Sequence, residues 1–234
     1  MKPKTLIITV LLILILITIS FISESWQDIN LNWGIIATAI VLLCIIIFFF
    51  KFERYAHTSK EIALISMLAT ISAVLRIPFA AIPGVQPCTY LITCSGYVFG
   101  PIAGFMVGAM TPFISNFFLG HGPWTPYQML AWGLIGAGSA YIRQCNPGVK
   151  LLTVIGLLWG FAYGIIMNIW FWASFIYPLT ITTFAFSMID SIWFDALHAI
   201  GNAFFLNLFG RKTISILERF KKRFHVEFIR VKTQ

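Results

Sequence analysis

The sequence predicts an all-α membrane protein that crosses the bilayer about eight times. Composition is the first reason. The chain has 234 residues, 59% hydrophobic and only 10% charged, where a soluble domain carries roughly 25% Asp, Glu, Lys and Arg. A mean hydropathy of +0.88 makes lipid the relevant solvent and excludes a soluble globular protein. The second reason is a series of apolar runs near the ~20 residues that a helix needs to cross ~30 Å of hydrocarbon. The third is where the cations fall between those runs.

Lys2 and Lys4 precede the first run, residues 5–22. That start has the form of a secretory leader, but it ends in Phe21-Ile22-Ser23-Glu24 with no small-x-small cleavage site, so retention as a membrane helix is expected. A second aliphatic run, 33–50, completes a Gly-poor hairpin. The charged linker 51–60 separates this hairpin (1–55) from a Gly- and Pro-rich body (56–210) and a basic tail (211–234). Within the body, the third run, 61–79, closes on Arg76-Ile77-Pro78. The fourth, 88–99, would be only about 18 Å long at 1.5 Å per residue, so a short or broken helix leaning on its neighbours is expected. Gly100-Pro101 then makes a tight turn, since Pro suits the opening turn of a helix, and 102–119 follows. Pro126 opens the sixth run, 126–142. The seventh and eighth are 151–177 and 186–209.

Threading these runs alternately with the N-terminus inside places fifteen of the sixteen Lys and Arg on one side and Arg76 alone on the other. Cytoplasmic segments are enriched in Lys and Arg, so both termini are expected in the cytoplasm. The net charge of +8 does not indicate nucleic acid, because eight of the cations sit in the tail from Arg211 onward and most others between apolar runs.

Glycines recur every four residues at Gly96, Gly100, Gly104 and Gly108, and again at Gly156, Gly160 and Gly164. Such spacing aligns them on one helix face and lets backbones approach. Ser66, Ala69, Thr70 and Ala73 make a similar surface on the third run. Packing inside the bundle and docking of another protein both fit. Trp26, Trp33, Trp124, Trp132, Trp170, Trp172 and Trp193 fall in the outer half under this threading, and Trp159 lies deeper. That lopsidedness fits an aromatic-walled outward pocket or a one-sided interfacial belt. Two Pro/Gly-shaped loops, 83–87 and 120–126, cap the same side.

Polar groups inside spans are costly and mark function or internal networks. Ser191, Asp195, His198 and Asn202 stack along one face of the eighth run, with Asp190 beside them and Arg76 available to neutralise either aspartate. An ion-paired structural network and ligand contact both fit this stripe. No metal site is expected: His57, His121, His198 and His225 are scattered. Cys44, Cys88, Cys94 and Cys145 form no C-x-x-C pair. No cofactor is expected either. The phosphate loop G-x-x-x-x-G-K-[ST], G-x-S-x-G and H-E-x-x-H are missing from the sequence, so ATP-driven work falls to a partner. Two other classes stay open on the residues alone: an intramembrane enzyme built on Asp190, Asp195 and His198, and an assembly protein whose glycine faces only join helices.

Several stretches are familiar as sequence: Arg76-Ile77-Pro78-Phe79, Pro83-Gly84-Val85-Gln86-Pro87, Phe99-Gly100-Pro101 with Gly104, Pro112 through Met129 with its Pro123-Trp124-Thr125-Pro126 loop, and Asp195-Ala196-Leu197-His198-Ala199-Ile200-Gly201-Asn202. Over residues 60–210 the chain resembles the substrate-binding S components of energy-coupling-factor (ECF) vitamin transporters. The resemblance implies a six-helix bundle, here with an additional N-terminal transmembrane hairpin, in a prokaryotic cell membrane. It implies a binding subunit rather than an enzyme, which captures a vitamin beneath the outer loops. A module of one membrane coupling protein and two ATPases would then drive toppling and release.

On the same grounds Arg76, Gln86, Asn116, His121, Trp124, Thr125, Gln128, Trp132, Asp195, His198 and Asn202 are expected to contact substrate. Ala69 and Ala73 match the small-residue motif that meets the coupling protein. The loop pattern looks most like members linked to cobalamin or related corrinoids, although the aromatic, amide-bearing outer rim of Asn116, Trp124, Gln128 and Trp132 also suits a smaller flat heterocycle. Two features depart from the pattern: the hairpin of residues 1–55, and His121 and Tyr127 where Gln and Trp are expected.

Overall fold

The computed structural model describes residues 33–54 and 59–224. The expected first span, 5–22, lies outside them, as do Trp26, His57 and His225. Among the described residues every regular element is helical: α1 (Trp33–Arg54), α2 (Ser59–Phe79), α3 (Cys88–Phe99), α4 (Pro101–Leu119), α5 (Thr125–Ile142), α6 (Val149–Phe175), α7 (Ile181–Phe205) and α8 (Arg211–Phe224). A 3₁₀ turn, Arg143–Cys145, follows α5, and a π turn, Leu206–Gly210, joins α7 to α8.

Five segments are long and apolar enough to cross a membrane: α1, α2, α4, α6 and the continuous stretch Ile181–Lys222. These five are counted among the described residues, which leave out the first of the eight runs expected from the sequence. α3 has only 12 residues. α5 is diluted by Thr125, Tyr127, Gln128 and Ser139, all buried, and reads as a core helix. The start of α7 also differs, five residues ahead of the apolar run. Thr180 accepts from the Thr183 backbone N–H at 3.2 Å while Thr183 Oγ1 accepts from the Thr180 N–H at 3.1 Å, a reciprocal cap that begins the helix in polar residues.

Glycine lets the central helices touch backbone to backbone. A Cβ on Gly96 would fall on the Gly136 carbonyl, one on Gly136 on the Gly104 carbonyl, and one on Gly108 on the backbone of Trp132. α3, α4 and α5 therefore meet at contact distances that side chains forbid. The second series, Gly156, Gly160 and Gly164, packs α6 against Ala203, Ala199 and Asp195 of α7. Both series are thus used inside the chain. Gly100 holds the α3–α4 turn at φ 97°, a conformation that disfavours any side chain.

Ala69 and Ala73, expected to meet the coupling protein, lie on the inner face of α2. The buried face of α2 is Leu64, Ile65, Leu68, Ala69, Ser72, Ala73 and Arg76, with both alanines 1% exposed. They fill the bundle interior, so the surface that α2 offers to lipid or a partner is instead Ile62, Ala63, Ser66, Met67, Thr70, Ile71 and Val74. The basic tail is partly packed into the bundle. Its first half is α8, which buries Ile214 and Leu217 in the same core cluster as Cys94 and Val98 of α3.

α1 is integrated into the body. Phe48 stacks on Phe105 with centroids 3.8 Å apart, and Thr38 Oγ1 lies 3.2 Å from the Tyr127 hydroxyl. Lys221 Nζ and Arg143 Nη1 both donate to the Val98 carbonyl, at 2.6 and 3.2 Å, and Arg143 lies 3.7 Å from Glu218. This gathers the Gly100 turn, the α5–α6 connection and α8 at one end of the bundle. Arg76 and the 120–126 loop lie at the other. On a Cys-free background, Asn146→Cys should be labelled by an impermeant thiol reagent only from the cytoplasmic side and Pro123→Cys only from outside. The reverse pattern would invert the assigned orientation.

Candidate functional site

The polar groups cluster at the end of the bundle that carries Arg76. The loop between α2 and α3 presses onto α7: a Cβ on Gly84 would sit 2.8 Å from Leu197 Cβ and from the Phe194 carbonyl. With φ at +74° as well, this position favours glycine. The loop thereby delivers the Gly84 carbonyl to His198 and the Gln86 side chain to Arg76.

Arg76 is 7% exposed. Its Nε donates to Gln86 Oε1 at 3.1 Å, and its Nη1 to Ser115 Oγ at 2.7 Å and Asn116 Oδ1 at 2.6 Å. Asn116 Nδ2 continues the chain to Thr125 Oγ1 at 3.0 Å and Gln128 Oε1 at 2.9 Å. The Gly122 N–H also donates to Thr125 Oγ1, at 3.2 Å, which ties the 120–126 loop to the network. The Arg76 guanidinium lies 4.9 Å from the centroid of the Trp132 ring, within cation–π range.

A second run of bonds has a defined direction. The Trp132 indole N–H donates to Thr89 Oγ1 at 2.9 Å, and Thr89 lies 3.4 Å from His198 Nε2. His198 Nδ1 is 2.8 Å from the Gly84 carbonyl. A carbonyl only accepts, so Nδ1 carries the proton and Nε2 accepts from the Thr89 hydroxyl. The Tyr163 ring lies between Trp132 (4.5 Å) and His198 (4.8 Å), and together they make an aromatic platform. Asp195, one turn along α7, is 8% exposed. Its Oδ2 accepts from Ser191 at 2.8 Å and from Asn168 Nδ2 at 3.1 Å.

Residues 60–208 match the family described as ECF transporter, substrate-specific component. The chain belongs to that family. No curated protein and no solved structure matches it significantly. S components are subunits of membrane transporters, not enzymes, and their family implies an ECF module with ATPases as partner.

This S component brings together Arg76, Gln86, Asn116, Thr125 and Gln128 in one network, with Trp132 and His198 beside it. Asp195 adjoins the platform but does not pair with Arg76. Among the described residues neither aspartate forms an ion pair with that arginine, and Asp190 is exposed on α7. Asn202 is fully buried with its amide nitrogen and oxygen unpartnered among the described residues. His121 stands apart, exposed, with its ring 4.8 Å from Phe117 and 5.9 Å from Phe113. Trp124 packs over Gly122 and edge-on to Trp170 at 6.0 Å. Tyr127 is 1% exposed and serves the α1 contact.

The outer tryptophans do not form one wall. Among the described residues only Trp132 joins the polar cluster; Trp172 bonds Thr183, and Trp193 is 68% exposed toward the surroundings. Thr89, Ser115, Tyr163 and Asn168 were not singled out from the sequence. Asn168 had a signal, because it continues the period of Gly156, Gly160 and Gly164 on the buried face of α6. Thr89 and Tyr163 had none beyond their neighbours.

Proposed function

We propose that this S component captures a vitamin at the Arg76 end of the bundle and delivers it through a module of one membrane coupling protein and two ATPases. The observation that supports this most is the buried polar run Gln86–Arg76–Asn116–Gln128, set against the Trp132–Thr89–His198 run. Polar and charged groups so placed in a membrane protein are expensive unless they serve a ligand or a required network. The substrate contacts are Arg76, Gln86, Asn116, Gln128, Trp132, Asp195 and His198, with Thr125 holding the loop above them. The coupling partner meets the exposed face of α2, where Ala63, Ser66 and Thr70 keep the surface shallow.

A corrinoid is one candidate substrate and a compact flat heterocycle the other. Asn116, Gln128 and Trp132 are 1%, 8% and 0% exposed, bonded to one another rather than spread as a rim, and this favours the compact ring. The test is retention of vitamins by the purified full chain in lipid nanodiscs, read by native mass spectrometry after incubation with an equimolar mixture that includes cobalamin. One vitamin retained at one copy per chain is expected. Cobalamin retained alone would select the corrinoid, and retention of none would overturn the reading.

A further inference from the structure

Among the described residues two buried charges at this site have no counter-charge, and each keeps one polar atom without a hydrogen bond. Arg76 uses Nε and Nη1, all of its partners are neutral, and Nη2 has no hydrogen bond among the described residues. Gln86 likewise uses its Oε1, and its amide nitrogen has no hydrogen bond among the described residues. Asp195 is held through Oδ2 by the neutral groups Ser191 and Asn168, and its Oδ1 has no partner among the described residues. Breaking or omitting one half of a buried ion pair is strongly unfavourable, and here both halves are present and not joined to each other. Between them stands the platform of Trp132, Tyr163 and His198. Arg76 lies against the Trp132 ring. Asp195 sits against Gly164, the neighbour of Tyr163.

We infer that the ligand is a flat ring with two unlike ends, an anionic or acceptor group for Arg76 Nη2 and Gln86, and a cationic or donor group for Asp195 Oδ1. This assignment rests on the binding-subunit reading above and narrows its substrate class. The ring lies beside the aromatic platform, between Arg76 and Asp195, where apolar contact is indifferent to orientation. The two charges then fix which way round the ligand sits, because reversal places like charges together. A large ligand without this polarity leaves both side chains uncompensated.

The test uses the full chain in nanodiscs and three probes of nearly equal shape: 4-(aminomethyl)benzoate, which has both ends, 4-methylbenzoate, which lacks the cation, and 4-methylbenzylamine, which lacks the anion. Calorimetric titration should give an affinity for the two-ended probe about tenfold or more above either one-ended probe, as expected for one charge-assisted hydrogen bond. Asp195→Asn should bring the two-ended probe down to within about threefold of 4-methylbenzoate, a residual of under 1 kcal/mol. Equal affinities for the three probes in the native chain, or saturable binding of none, would overturn the assignment. The vitamin screen reads retention whatever the ligand's charge. Retention there without discrimination here therefore overturns the two-ended class alone, whereas failure to retain any vitamin overturns the binding-subunit reading.

Discussion

Gly136→Ala should lower the thermal unfolding midpoint of the purified protein by roughly 6–12 °C. The added Cβ would land on the carbonyl oxygen of Gly104, where α4 and α5 are in backbone contact. A backbone cannot rotate aside as a side chain can, so the two helices must separate, and α3, which meets Gly136 through Gly96, must follow. Overpacking a tight interior commonly costs about 1–3 kcal/mol, and a rigid backbone obstacle belongs at the upper end. For a chain of this size each kcal/mol moves the midpoint by roughly 2–4 °C. Gly148→Ala is the control: nothing lies within 4 Å of a Cβ there, so its midpoint should stay within about 2 °C of the parent. Equal shifts in the two variants would contradict the glycine-mediated packing.

Arg76→Met should abolish measurable vitamin binding, with a loss of at least ~100-fold in affinity. The substitution removes the donor to Gln86, Ser115 and Asn116 together and strips the cation from the Trp132 ring. Hydrogen bonds to charged groups are worth about 1.5–3 kcal/mol each, and 1.4 kcal/mol is tenfold. Some of the loss will be structural, because the partners are left buried without a donor. Arg76→Lys separates the two contributions. It keeps the charge but has no planar fork to reach Nε and Nη1 partners at once, so affinity should fall about tenfold while the unfolding midpoint moves little. The vitamin retained in the nanodisc screen is the ligand for these titrations. Parent-like affinity in Arg76→Met would remove the arginine from the site.

How much of this was legible in the sequence depends on which physical signal carried it. Helix positions from Trp33 onward followed from apolar runs broken by Gly100-Pro101, Pro126 and the charged connections, because lipid imposes length and hydropathy directly. The start of α7 did not, since its cap is made by Thr180 and Thr183, which carry no apolar signal. Period-four glycines announced close packing, but spacing alone could not say which surface they meet. Ala69 and Ala73 show the limit most clearly. On α2 the faces at 69/73 and 66/70 are adjacent, and only the position of the neighbouring helices decides which is buried.

At the site, Arg76 was visible as the lone outer cation closing a span, whereas Asn116 and Gln128 entered only through the family resemblance. Their mutual bonding was not visible, because it depends on three helices converging. Thr89 and Tyr163 are ordinary interior residues in sequence and gain a role only by standing between Trp132 and His198. In the basic tail, Ile214 and Leu217 at three-residue spacing give α8 an apolar edge that packs into the bundle, a signal that the surrounding cations mask in the sequence.

The most direct test of the central claim is a ligand-bound structure of the full chain in nanodiscs, determined with the vitamin retained in the screen. The account predicts density for one flat ligand beside the Trp132–Tyr163–His198 platform, within hydrogen-bonding distance of Arg76 at one end and Asp195 at the other. Density elsewhere in the bundle, with the Arg76 and Asp195 networks unchanged and empty of ligand, would contradict it.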